Sequence, residues 1–118
     1  MEQQPRGKSW VIGPMMVARR LVDHMAPEGI IAFVSSDSVG DPYHGMVPYS
    51  ASKAALEESI RGLRVEHPNV RVTCIPVGPT EGTDITRGLD PDVIGRLYPI
   101  WVKTGRIAGA SMTAPDVG

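Results

Sequence analysis

The sequence predicts an α/β fold with a parallel sheet, and three observations predict it. Two short, continuously apolar runs, residues 30–34 and 70–75, have the length of strands. A helical pattern precedes the first run, and a longer one fills the space between the two. Helix, strand, helix, strand in this order implies two parallel strands joined by a right-handed crossover.

The elements follow in order. Residues 1–9 are polar, carry Pro5 and Gly7, and read as an irregular start. A helix begins near Gly13, with Pro14 suited to its first turn. Val17, Leu21 and Met25 recur every four residues as its apolar face, while Arg19, Arg20 and Asp23 fall mostly elsewhere; Pro27 and Gly29 end it. The run 30–34 is apolar throughout, as in a strand buried on both faces. Gly40, Pro42, Gly45 and Pro48 make 37–48 a loop. The second helix is expected from about Tyr49 to Glu66, stopped by Pro68. Thr80, Gly82, Thr83, Asp84, Thr86 and Gly88 suggest a mobile loop, and Asp90-Pro91-Asp92 caps a short helix reaching Val102. The tail from Gly105 is small and flexible, with Thr113-Ala114-Pro115-Asp116 resembling a further helix start.

Bulk properties exclude several classes of function. At 118 residues the chain is one domain or part of one. A net charge of −1 gives no electrostatic case for nucleic acid or an anionic membrane surface. No apolar stretch approaches the roughly 20 residues of a membrane helix, and no apolar signal-peptide core stands at the start. Cys74 is the sole cysteine, so no internal disulfide forms, and a reducing, cytoplasmic location is expected. Within its strand-like run Cys74 reads as an inert core thiol. His24, His44 and His67 share no metal-ligand spacing, so no metal site is expected. Without a Gly-x-Ser-x-Gly elbow, a serine hydrolase finds no support.

The chemistry-bearing residues are Ser36, Tyr49 and Lys53. Tyr49 and Lys53 are four apart, which on a helix puts phenol and ammonium on one face, one turn apart. A cation so placed favours phenolate over phenol, as a general acid/base working near neutral pH requires. Ser36, thirteen positions before Tyr49 at a strand end, adds a hydroxyl to hold a substrate oxygen beside the phenol. Spacing alone favours a plain surface pair at helix spacing; Ser36 and the flanking sequence reverse that reading.

Gly29-Ile30-Ile31-Ala32-Phe33-Val34-Ser35-Ser36, Tyr49-Ser50-Ala51-Ser52-Lys53-Ala54-Ala55 and Val70-Arg71-Val72-Thr73-Cys74-Ile75-Pro76-Val77-Gly78-Pro79-Thr80 occur in that order. Together they resemble the catalytic signature of the short-chain dehydrogenase/reductase family. The resemblance implies a doubly wound, Rossmann-like parallel sheet, of which residues 10–118 correspond to the middle and later part. Within a single domain, 10–79 would form the helix-strand-helix-strand catalytic core and 80–118 the substrate-loop region and tail. It further implies NAD or NADP as cofactor and a small alcohol or ketone as substrate. Tyr49 would be the proton donor or acceptor, Lys53 would also hold the nicotinamide ribose, and Ser36 would hold the substrate oxygen. Gly78 and the following threonine, Thr80 or Thr83, would lie near the nicotinamide carboxamide. Tyr43 and His44 fall in a loop that borders substrate in the family. Trp101, Tyr98 and Leu97 resemble the apolar side of a substrate lid, or equally core packing. The two helices, around 14–25 and 49–66, would pair across a two-fold axis in a homodimer or tetramer, with Ala51, Ala54 and Ala55 allowing close approach.

The chain also departs from the family pattern. It contains no Gly-x-x-x-Gly-x-Gly run and no Asn-Asn-Ala-Gly stretch, so the nucleotide-binding half of the fold has no counterpart in it. The position of the family's catalytic asparagine falls on Trp10, and the expected Pro-Gly after the second strand reads Val77-Gly78. Two strands with two helices would leave one sheet face and both edges uncovered, so marginal stability is expected of such a piece alone. Asp37 and Asp41 read as solvated loop acids. A catalytically silent, truncated piece that binds or oligomerises is the alternative to an oxidoreductase.

Overall fold

The computed structural model describes residues 8–81, 90–107 and 112–113. A π-helical turn, Lys8–Ile12, leads into helix α1, Gly13–Leu21, and a 3-10 turn, Val22–His24, extends it. Strand β1, Ile30–Ser36, is followed by helix α2, Val47–Glu66, and strand β2, Arg71–Val77. Strand β3, Thr80–Glu81, helix α3, Pro91–Lys103, and strand β4, Met112–Thr113, complete the described elements.

β1 and β2 pair in parallel, from Ile30 against Arg71 to Ser36 against Val77. A parallel pair needs a long crossover, and the 20 residues of α2 supply it. β3 and β4 form a second, two-residue parallel ladder. The strands extend beyond the apolar runs because the ladder continues through Ser35, Ser36, Pro76 and Val77. Pro76 brings no N–H to a ladder; it is tolerated because β2 pairs on one side only among the described residues.

α2 starts at Val47, two residues before its expected start at Tyr49. Pro48 lies in its first turn, where backbone N–H groups have no helical partner, so the proline belongs to the helix and not to the loop. α3 matches its expected start: the Asp90 carboxylate accepts a hydrogen bond of 2.8 Å from the Asp92 N–H.

Ala18, Val22, Ile31, Phe33, Leu56, Ile60 and Leu63 form the main core, with α1 and α2 on one sheet face. Here the expected apolar stripe of α1 is corrected. Val17 and Leu21 are exposed, whereas Ala18 and Val22 are buried. A strict four-residue repeat drifts off one face of a helix with 3.6 residues per turn. Val11, Met15, Ala18, Val22 and Met25 advance by four and three alternately and stay on that face.

The expectation that β1 is buried on both faces is corrected as well. Its residues alternate, with Ile31, Phe33 and Ser35 buried but Ile30 50 % and Val34 57 % exposed. Ile75 of β2 is exposed alongside them. Among the described residues no element covers that outer face. Residues 82–89, expected as a loop, lie outside the described residues, as do 114–116 of the expected last helix start; Thr113 belongs to β4.

Ile60 is fully buried and Val65, on the same helix, is exposed. Ile60→Ala should cost about 2–5 kcal/mol, a large share of a small domain's stability, and lower the urea midpoint steeply. Val65→Ala should leave the midpoint within experimental error. Equal midpoints for the two variants, measured by circular dichroism, would contradict this core.

Candidate active site

The carboxyl ends of β1 and β2 lie side by side because of their register. Ser36 is the last residue of β1 and pairs with Val77, so Gly78 follows directly beside it. The Asp37 N–H donates to the Val77 carbonyl at 3.1 Å and carries the ladder one step further. Ser36 is buried, and its Oγ accepts from the Ser38 N–H at 3.1 Å, which turns the chain out of the strand.

α2 brings Tyr49 and Lys53 to this end. Tyr49 is buried in the first turn of the helix. One turn on, Lys53 is half-buried and its Nζ donates to the Val34 carbonyl at 3.3 Å, two residues before Ser36. The ammonium is thus tied to the strand that ends in the serine. Burial lowers the Lys53 pKa from its ordinary value, and the Cys74 thiolate charge opposes that shift. No hydrogen bond among the described residues joins any two of Ser36, Tyr49 and Lys53.

A second, smaller core closes over Tyr49. Met46, Tyr49 and Trp101 are buried together, and Trp10, Tyr43, Ile94, Leu97 and Ile107 pack around them. Trp10 meets the Tyr49 ring edge-on, with centroids 5.0 Å apart. Trp10 is therefore an aromatic wall beside the candidate acid/base. Trp101 of α3 donates its indole N–H to the His44 carbonyl at 2.8 Å and stacks edge-on against Tyr43 at 5.7 Å. Gly45 has φ +80° and lies so close to Leu97 that a Cβ would stand 2.6 Å from Leu97 Cδ2, so only glycine fits there. Of the three expected lid residues, Trp101 is buried, Leu97 is half-buried and Tyr98 is exposed.

Asp37 is a half-buried, paired acid, which corrects the sequence reading, whereas Asp41 stays solvent-exposed as expected but also gains an ion pair. Asp37 Oδ2 pairs with Arg106 Nη2 at 3.4 Å and accepts from the Tyr43 hydroxyl at 3.2 Å, and Asp41 pairs with Arg106 Nη1. The Arg106 guanidinium also lies over the Tyr43 ring, 4.2 Å from its centroid. Burial, then the Asp37 charge, pushes the Tyr43 pKa up to about 12, with Arg106 opposing.

Gly78 leaves room beside the Asp37 carboxylate; a Cβ there would stand 3.6 Å from Asp37 Oδ2. The Thr80 hydroxyl donates to the Gly78 carbonyl at 3.0 Å, and Thr83 lies outside the described residues. Cys74 is half-buried and donates to Glu57 Oε1 at 3.6 Å. Burial, reinforced by the Glu57 charge, raises its pKa, so the thiol is a poor nucleophile as expected. An open concavity of about 540 Å³ lies at the opposite, amino end of the strands, lined by residues such as Ile30, Arg64 and Arg71. None of the candidate residues borders it.

The family model for short chain dehydrogenase matches residues 10–93. The chain belongs to the short-chain dehydrogenase family. The match spans α1, β1, α2 and β2 and carries Ser36, Tyr49, Lys53, Gly78 and Thr80 within it. At the level of the family, membership means oxidoreductase chemistry with NAD or NADP. No curated protein and no solved structure shows a significant match to the chain.

Sequence reasoning missed Arg106 and the pairing of Asp37. Arg106 lies beyond the family match and 69 residues from Asp37 along the chain, in a stretch with no motif. The one available signal was two acids in a Gly-rich loop with no nearby cation.

Tyr43 generates a titration prediction. Because its folded pKa is raised, this group's contribution to stability is complete below about pH 10 and falls as pH rises through 10–12. In spectrophotometric titration the Tyr43→Phe variant should lack the most alkaline phenolate phase of the wild type. Loss of amplitude from the ordinary phase near pH 10, with the most alkaline phase retained, would refute the Asp37–Tyr43 pairing.

Proposed function

We propose that the site is that of an NAD(P)-dependent oxidoreductase interconverting a secondary alcohol and a ketone, with Tyr49 as general acid/base. The observation that carries this reading is the Lys53 ammonium, held at the Val34 carbonyl of the strand ending in Ser36, one helical turn from Tyr49. Tyr49 would exchange a proton with the substrate oxygen through its hydroxyl. Lys53 would supply positive charge where phenolate charge develops. Ser36 would orient the same oxygen by donating its O–H to it while its Oγ goes on accepting from the Ser38 N–H.

The residues suit the nicotinamide end of the cofactor. The Ser38 and Ser50 hydroxyls, close to Ser36 and Tyr49 in the chain, are buried without a hydrogen-bond partner among the described residues. Buried hydroxyls in folded proteins are nearly always satisfied, so unpaired ones favour a bound polar group. Lys53 and Tyr49 would hold the nicotinamide ribose, with Gly78 and Thr80, or Thr83, beside the carboxamide. The nicotinamide supplies the hydride chemistry when bound. The chain has no Gly-x-x-x-Gly-x-Gly turn for the pyrophosphate. Ala51, Ala54 and Ala55 are exposed along α2, and Met16 and Val17 along α1, which supports pairing of these helices between copies of the chain.

A second reading, a catalytically silent piece that binds or oligomerises, is favoured by Trp10, whose indole stands where the family has its asparagine and packs on Tyr49. Titration of the purified chain with NADH and NADPH, followed by nicotinamide fluorescence, separates the two. The oxidoreductase reading expects saturable binding and turnover of a ketone. Tyr49→Phe should then lower kcat by about 10²–10⁴-fold, far more than it weakens cofactor binding. A folded chain that binds neither nucleotide leaves the silent reading.

A further inference from the structure

We propose that Arg106 is a positioning residue, the latch that fastens helix α3 over the loop running from Ser36 to Tyr49. Its guanidinium gathers the two acids and the aromatic ring of that loop at once. It pairs with Asp37 and Asp41, lies over Tyr43, and donates from Nη2 to the Asp37 carbonyl at 3.4 Å. The arginine side chain is only 17 % exposed. Its backbone is fixed to the end of α3, since the Arg106 N–H donates to the Trp101 carbonyl at 2.8 Å. One end of the latch is therefore rigidly part of the helix and the other is held by the loop.

The rest of the attachment is apolar and local. α3 meets the loop through Leu97 against Gly45, through Trp101 on Tyr43, and through the single indole hydrogen bond to His44. Arg106 supplies the only ion pairs in this attachment among the described residues. Asp37 directly follows Ser36 and its carboxylate lies beside Gly78, so the latch grips the loop at the paired ends of the two strands. The cover packs on its own small apolar core, separate from the one beneath the sheet, so losing its one charged fastening opens it locally without unfolding the main core.

That the cover closes a substrate site rests on the oxidoreductase reading; the latch itself does not. The test is amide hydrogen exchange by mass spectrometry on the ligand-free chain. Arg106→Gln should speed exchange in residues 91–103 and 37–46 by about tenfold or more, the loss of charge-assisted hydrogen bonds appearing as a local opening. Exchange in the buried turns of α2 around Leu56 and Ile60 should be unchanged. Arg106→Lys should restore part of the protection, since it keeps the charge but not the planar fork. Where ketone turnover is measurable, Arg106→Gln should raise KM with little change in kcat. Unchanged exchange in both segments, or equal acceleration across the α2 core, would overturn the proposal. A chain that lacks turnover yet shows the local acceleration would refute the oxidoreductase reading and leave the latch standing.

Discussion

The parallel register of β1 and β2 is the constraint on which the rest of the structure depends. Pairing Ser36 with Val77 sets Ser36 and Asp37 against Val77 and Gly78, so two segments distant in sequence end at one place. A one-residue slip would turn the buried side chains of β1, Ile31, Phe33 and Ser35, away from the face that α2 covers and shift Ser36 from its place beside Val77. The register is held from the α2 side by Ile31, Phe33, Val72 and Cys74 packing on Leu56, Ile60 and Leu63. Two cations of α2 reinforce it: Lys53 reaches a carbonyl of β1, and Arg64 donates to the Val72 carbonyl of β2 at 3.0 Å. Lys53 thus has a structural role in addition to its proposed chemical one.

Above this base the molecule has two layers of unequal strength. The core under the sheet is made of buried apolar side chains, aliphatic except for Phe33. The cover over the strand ends is made of aromatic edges, one indole hydrogen bond and a guanidinium shared by two carboxylates. Contacts of the second kind are directional and break one at a time, which suits a surface that must admit a small molecule. The π-helical turn joins the two layers, Val11 packing against the core under the sheet and Trp10 standing on Tyr49.

Much of this was legible in the sequence, for identifiable reasons. The four-residue step from Tyr49 to Lys53 and the apolar runs before Ser36 and Gly78 are local patterns, and local patterns fix helices and strands. Asp90 as a cap followed from chemistry that operates within three residues. The apolar face of α1 was misplaced by one position because Ala18, the residue nearest the core, is small and easily overlooked beside Val17. Arg106 was invisible because its partners are set by tertiary packing. Two aspartates in a glycine-rich loop look solvated until a distant arginine is folded onto them. The open outer face of β1 also could not be seen, because an all-apolar strand does not say which of its sides meets a helix.

Cysteine pairing across the outer sheet face tests the register most directly. Val34 and Ile75 are register partners, both exposed. In a Cys74→Ser background, Val34→Cys with Ile75→Cys should oxidise to an intramolecular disulfide, read as loss of both thiols without dimer formation. Partnered positions of adjacent strands lie within the Cα separation a disulfide spans, about 4.4–6.8 Å. Ile30→Cys with Ile75→Cys, at opposite ends of the same face, should stay reduced. Cross-linking of the second pair, with free thiols in the first, would contradict the register and the site built upon it.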